Sequence, residues 1–157
     1  MKKLILAAAV ALLFGCGSGE TENNGTNNAT NNAVTNNGNT RAEGTGGILL
    51  NSGQHINNAD MHAADGSNIR VGTAAVVTGG TLSSSGTGQI QPLAGSTFDA
   101  VTISDGTSVV QNQSQNSAVI NGLTNNGQWL INSNNSTIAA TILDFNGSQT
   151  IDGTGTL

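Results

Sequence analysis

The region 48–157 is a series of short apolar runs, most three to five residues long, separated by Gly, Asn, Ser and Asp. Several runs alternate apolar and polar residues, as 101–103 and 143–145 do, which is the period-two pattern of a β-strand with one face buried. No stretch of twelve residues combines helical spacing of apolar positions with good helix formers. The sequence therefore predicts an all-β domain whose core consists mainly of Val, Ile, Leu and Ala.

Two all-β architectures fit this pattern. A right-handed parallel β-solenoid uses short strands, small or β-branched inward residues and polar or Gly corners. An antiparallel meander or sandwich is the alternative, because Asn-Gly and Asp-Gly pairs are typical of hairpin turns. These pairs are Asp65-Gly66, Asp105-Gly106, Asn121-Gly122, Asn126-Gly127, Asn146-Gly147 and Asp152-Gly153. Strands this short and a near absence of aromatic anchors speak against the sandwich.

Two phrases near the C-terminus favour the solenoid. The segment 125–131, NNGQWLI, and the rhythm of 143–157, LDFNGSQTIDGTGTL, resemble phrases of autotransporter-like and haemagglutinin-like β-helical surface proteins. The resemblance covers about 98–157 and implies a short right-handed parallel β-solenoid. Coils of roughly 20–25 residues would give about five coils in 48–157. The expected number of coils is far smaller than in autotransporters, and a membrane barrel is not expected.

The N-terminus has the composition of an export signal. Lys2 and Lys3 precede ten apolar residues at 4–13, which is too short for a transmembrane helix of roughly 20 residues. The run ends in Leu13-Phe14-Gly15-Cys16, which resembles the lipobox of bacterial lipoproteins.

The lipobox resemblance implies cleavage before Cys16 and attachment of lipid, including palmitate-type chains, to that residue. Gly17 in place of Asp resembles the outer-membrane class, so the expected location is the outer membrane or cell surface. A plain secretory signal with a chance cysteine is the alternative. Cys16 is the only cysteine, which rules out an intramolecular disulfide.

The composition changes again after Cys16. Repeated Asn-Asn pairs with interleaved Gly, Thr and Ala predict that the tract up to residue 47 is a flexible tether with too little apolar surface to offset its ordering entropy. The predicted organisation is a signal peptide at 1–15, a lipidated Cys16 with a disordered tether at 16–47, and the β-rich domain at 48–157.

Charge excludes one class of partner. Once 1–15 are removed, Arg41 and Arg70 are the only Lys or Arg residues against nine acidic ones. Binding to a phosphate backbone depends on Lys and Arg. Nucleic-acid binding is therefore not expected.

Few residues are candidates for chemistry. His55 and His62, with Asp60 between them, match no common zinc spacing, and a surface loop is the expected setting. Neither a metal nor a cofactor is predicted. Trp129 is a possible ligand contact, for example by stacking on a sugar.

Paired carboxylates would be required for glycoside hydrolysis. The available acids are Asp99, Asp105, Asp144 and Asp152. Asp105 and Asp152 precede Gly and fit turns, and Arg70 is the only cation of the domain. No catalytic residue is predicted, so the chain is not expected to be an enzyme.

The leading functional prediction is a surface-exposed, membrane-anchored lipoprotein whose non-catalytic solenoid is adhesive or structural. Its expected partners are the membrane, through lipid, and an extracellular matrix, a polysaccharide or a second copy. A carbohydrate-active enzyme and a truncated, inactive remnant of a larger β-helical protein are the alternatives. Residues 150–157 predict an uncapped last coil prone to self-association.

Overall fold

The computed structural model describes residues 21–23, 27–29, 35–131 and 140–157. Within these ranges the regular structure consists of 17 short strands and no helix. Every pair of neighbouring strands is parallel, and the chain winds through a β-solenoid of about 5 turns. The predicted parallel solenoid is thus confirmed. The antiparallel alternative is wrong, since the strands do not reverse direction between neighbours.

Each coil contributes strands to three faces. Face one contains β3 (Thr35–Asn36), β6 (Gly53–Asn57), β9 (Ala75–Thr78), the start of β12 (Ser96–Ile103), the start of β14 (Asn116–Asn125) and β16 (Ile142–Phe145). Face two contains β1 (Thr21–Asn23), β4 (Thr40–Ala42), β7 (Asp60–Ala63), β10 (Thr81–Ser84), the ends of β12 and β14, and β17 (Ile151–Asp152). Face three contains β2 (Asn27–Ala29), β5 (Ile48–Leu50), β8 (Asn68–Val71), β11 (Gln89–Pro92), β13 (Ser108–Gln111) and β15 (Gln128–Ile131).

Like residues stack on like between coils. On face three, Ile48 pairs with Ile69, and Ile90 pairs with Val109 on a later coil. These side chains are buried. Burying one such side chain contributes about 1.5–3 kcal/mol, so the inward rows hold the coils together. Partners on successive coils are commonly 21 residues apart, and this spacing sets the register of the whole molecule.

The corners between faces are tight turns that use left-handed backbone. Between faces two and three, the turn residues Gly66, Gly86 and Gly106 have φ of 74°, 57° and 71°, a region open to Gly without steric cost. In each of these turns an N–H donates to the carbonyl three residues earlier, as from Ser67 to Ala64. The Asp-Gly pairs at 65–66 and 105–106 therefore turn the chain between faces, and reading them as hairpins is wrong.

The predicted tether boundary at residue 48 is wrong for 35–47. β3 pairs with β6 and β4 pairs with β7, and both Asn36 and Ala42 are buried. The backbones of β1 and β2 pair with β4 and β5. The predicted signal peptide at 1–15 and the lipid site at Cys16 lie outside the described residues.

Buried asparagines explain how an Asn-rich sequence joins the solenoid. The Asn36 side-chain amide donates to Asn57 Oδ1 at 2.8 Å, and the Asn57 amide donates to the carbonyl of Thr81 at 2.9 Å. The Oδ1 atoms accept backbone N–H groups two residues on, from Gly38 and Ala59. Burial of a polar group costs little when it is fully hydrogen-bonded, so asparagine serves as an inward residue at this corner.

Candidate functional site

The last coil differs from the others in its apolar exposure. Among the described residues, the exposed large hydrophobic side chains all fall in 130–157, and they are 37–57% exposed. They are Leu130, Ile131, Ile142, Phe145, Ile151 and Leu157. β16 and β17 each pair with β14 alone in the described structure. Sheet edges and exposed apolar surface together favour contact with another molecule. We call this surface the terminal coil surface.

Two shallow grooves border the terminal coil surface. The first, of about 270 Å³, runs between the strand ends on face two and is lined by Asn121, Thr124 and Asp152, among others. The second, of about 280 Å³, lies on face one and is lined by Thr97, Ser117, Ile142 and Asp144, among others. Hydroxyl, amide and carboxylate groups share both linings with apolar atoms in roughly equal parts. Such a mixed lining suits a ligand that offers both hydroxyl groups and apolar faces.

The four aspartates considered for glycoside hydrolysis lie in different places. Each groove contains one of them, Asp152 in the first and Asp144 in the second. Asp99 on face one accepts from the Asn121 amide at 2.7 Å. Asp105 is exposed at the corner between faces two and three. The register therefore spreads the carboxylates instead of assembling two in one groove.

The two histidines do not lie in a surface loop. His55 is buried in β6, where Nε2 lies 2.6 Å from the carbonyl oxygen of Asn51 and Nδ1 has no hydrogen-bond partner. His62 is half-buried on the outer side of β7, in contact with Ser83 and Ser85. The described residues include no group of three or more His, Cys, Asp or Glu positioned to bind a metal ion.

Trp129 does not present a ring to a ligand. Its side chain is 1% exposed and packs edge-on against Phe98, with ring centroids 5.1 Å apart and planes inclined at 74°. Its indole N–H donates to Gln111 Oε1 at 3.0 Å, and the Gln111 amide donates to the carbonyl of Ile142 at 2.8 Å. Trp129 therefore belongs to the core, at the end of the core that adjoins the last coil. The predicted ligand contact is wrong.

One exposed carboxyl at a corner has a perturbed acidity. Asp65 Oδ1 accepts both the backbone N–H and the hydroxyl of Thr87 at 2.8 Å. These two bonds, the backbone one foremost, hold the pKa of the Asp65 carboxyl below its ordinary value, while partial desolvation opposes them. Asp65 thereby links two successive coils at the corner between faces two and three.

Ser83 and Ser85 contact His62 from the next coil and were not among the predicted site residues. Serines are too numerous to single out from composition alone. The signal for Ser83 is its spacing of 21 residues from His62, and Ser85 lies two residues further along the chain. Aligning the chain on that spacing places the histidine and the serine side by side.

Comparison with known proteins does not assign a family. No protein-family model matches the chain, and searches of curated proteins and of solved structures give no match either. No helix long and apolar enough to cross a membrane occurs in the residues described. The fold itself defines the class, a parallel β-solenoid.

Proposed function

We propose that the protein is a lipid-anchored, non-catalytic β-solenoid of the cell envelope that binds a partner through its last coil. The observation that carries this proposal is the terminal coil surface. Its exposed apolar side chains are concentrated at one end of the stack, beside two grooves of mixed polar and apolar lining. In the rest of the described structure no large apolar side chain is exposed to that extent. A protein with one adhesive end and otherwise polar sides suits a display or structural role.

The anchor in this proposal is Cys16. The lipobox-like quartet at 13–16 supports export and acylation of that cysteine, and two acyl chains suffice for stable attachment where one does not. The proposed location is the outer membrane or cell surface. The strands from β1 onward would then continue from the membrane toward the terminal coil surface.

The anchor is tested by comparing the full chain with a Cys16→Ala variant in the bacterial host. The wild-type protein should sediment with membranes and incorporate labelled palmitate, because the thiol is the acceptor. The variant should do neither. Equal palmitate incorporation by the two proteins would contradict lipid attachment at Cys16.

The partner in this proposal is a cell-surface or matrix polysaccharide, or a second copy of the chain. The grooves offer Asp144 and Asp152 with neighbouring hydroxyl and amide groups, which suits sugar hydroxyls. One carboxylate in each groove supports binding more than hydrolysis, since glycosidases use two carboxyls roughly 5–10 Å apart. The apolar residues beside the grooves would contact sugar ring faces or another coil.

The surface is tested with an Ile142→Lys variant and a matched Leu49→Lys control. Ile142 is exposed beside the second groove, whereas Leu49 faces outward and is half-buried near the opposite end. Co-sedimentation with insoluble polysaccharide and sedimentation velocity of the protein alone are the measurements. The Ile142 variant should lose polysaccharide binding or self-association, and the control should retain it. Equal retention of both activities in the two variants would contradict a role for the terminal coil surface.

A further inference from the structure

Four polar side chains form a continuous hydrogen-bonded row on face two and the corner that follows it, outside the terminal coil surface. Asp60 and His62 point outward from β7, and Ser83 pairs with His62 in register on β10. Ser85 follows β10 directly, at the turn toward face three. The register of the solenoid, and not closeness in sequence, brings the four together.

The contacts run in one chain. Ser83 Oγ lies 2.8 and 2.7 Å from the two carboxylate oxygens of Asp60. His62 Nδ1 lies 2.8 Å from Ser83 Oγ, and His62 Nε2 lies 3.0 Å from Ser85 Oγ. The imidazole is therefore held between two serine hydroxyls, with one ring nitrogen facing each.

The carboxylate sets the direction of every hydrogen bond in the row. An ionised Asp60 can only accept, so Ser83 donates its single hydroxyl hydrogen to it. Ser83 Oγ then accepts from His62, which places the imidazole proton on Nδ1. In the neutral ring Nε2 carries a lone pair, and Ser85 donates its hydroxyl hydrogen to that lone pair. The geometry thus places the exposed Ser85 beside His62, a base whose tautomer is fixed by Ser83 and Asp60 on the other side of the ring.

The backbone around Ser85 holds it in this position. Its N–H donates to the carbonyl of Ala63 at 3.0 Å, and its carbonyl accepts from Gly88 at 2.9 Å. The intervening Gly86 takes φ of 57°. The Ser85 hydroxyl is consequently presented at a defined, solvent-exposed corner.

We infer that Ser85 is a nucleophilic acyl acceptor, activated by His62, that takes one acyl group from an activated ester or thioester. A hydroxyl beside a general base that is itself oriented by a third group is the arrangement that makes serine nucleophilic. The inference goes beyond the proposed adhesive role, because an acyl group carried by a partner would become joined to this face through a covalent ester, with loss of its leaving group.

The proposed step is a transesterification with a balanced set of bonds. Ser85 Oγ forms a bond to the acyl carbon while its proton passes to His62 Nε2. The bond between the acyl carbon and the oxygen or sulfur of the leaving group breaks. The leaving group then takes the proton from His62, which restores the neutral ring. Ser83 and Asp60 hold the ring and are positioning residues.

The test uses the full chain and p-nitrophenyl acetate, with nitrophenolate release and peptide mass spectrometry as readouts. Acetyl should accumulate on Ser85 ahead of Ser148, an exposed serine near the C-terminus that serves as the internal control. His62→Gln should slow acetylation of Ser85 on the order of 10²-fold, the scale of general-base assistance. Ser85→Ala should abolish the labelled peptide.

The positioning role is tested separately with two changes at Ser83. Ser83→Ala should slow acetylation and shift the His62 tautomer away from Nδ1–H, as read by ¹⁵N NMR of the ring. Ser83→Thr keeps the hydroxyl and should restore both. Equal acetylation of Ser85 and Ser148 in the wild-type protein would overturn the inference, as would a His62→Gln variant that reacts at the wild-type rate. Acetyl found on His62 alone would also overturn it.

Discussion

The middle coils and the last coil are built from the same kind of short parallel strand but differ in how far their apolar side chains are buried. In the middle coils, partners follow at about 21 residues, and inward residues such as Ile69 and Ile90 are fully buried. Hydrogen bonds that join the last coil to the preceding ones span 27 to 31 residues. There Ile151 pairs with the buried Leu123 yet remains 42% exposed. Parallel pairing alone therefore does not bury an apolar row, which also requires a further coil on the other side.

The largest expected difference between the middle coils and the last coil is the loss of stability when an isoleucine is replaced by alanine. Ile90→Ala should lower the free energy of unfolding by about 2–5 kcal/mol, because it opens a cavity in a row closed on both sides. Ile151→Ala should change it by less than about 0.5 kcal/mol, as for an exposed position. Urea unfolding followed by Trp129 fluorescence measures both. Similar losses for the two variants would show that the last coil is as closed as the middle ones.

A second comparison uses glycines that lie against the backbone of the preceding coil. A Cβ at Gly88 would overlap the carbonyl oxygens of Ala63 and Ala64, and one at Gly155 would overlap the carbonyl oxygen of Gly127. Gly88→Ala should destabilise by about 1–3 kcal/mol, since neighbouring coils prevent relaxation. Gly155→Ala should cost less, because the last coil can shift outward. Thermal unfolding of the two variants under matched conditions gives the order, and a larger loss at Gly155 would contradict it.

The smallest expected effect concerns acid stability at one corner. The pKa of Asp65 is lowered in the folded protein by Thr87. Its contribution is therefore present above the unfolded-state pKa near 3.8 and is lost as the pH falls through the folded-state value. Asp65→Asn should slightly weaken stability at neutral pH, and the difference from wild type should vanish in strong acid.

Asp105→Asn is the control for this titration, because Asp105 occupies the equivalent corner two coils further on. Stability from urea unfolding, measured from neutral pH to about pH 2, is the readout. A difference between Asp65→Asn and wild type that grows on acidification would contradict the sign of the linkage.

The fold class could be predicted from the sequence because its signals are local. Short apolar runs, few aromatics and turn-forming glycines all favour stacked short strands. The start of the solenoid could not be predicted in the same way. By composition, residues such as Asn36 are typical of a linker. The next coil supplies the hydrogen-bond acceptors that offset the desolvation cost of burying the Asn36 amide.

The candidate sites were harder to predict, for two physical reasons. Burial of Trp129 depends on Phe98 and Gln111, which lie on other coils. The contacts of His62 depend on the register between β7 and β10. Neither can be inferred from local periodicity. The repeat spacing of 21 residues indicates the contact between His62 and Ser83 but not the burial of Trp129.

The asparagine corner has a consequence for how such a chain can change length during evolution. Asn36 and Asn57 each donate to a carbonyl 24 residues on and accept from an N–H two residues on. The two coils that contain Asn36 and Asn57 therefore carry the same connectors. An in-frame duplication or loss of the 21 residues between these asparagines would join matching connectors again, whereas a gain or loss of a few residues would not. Variation in length among relatives of this chain should accordingly occur in steps of one coil at this end of the solenoid.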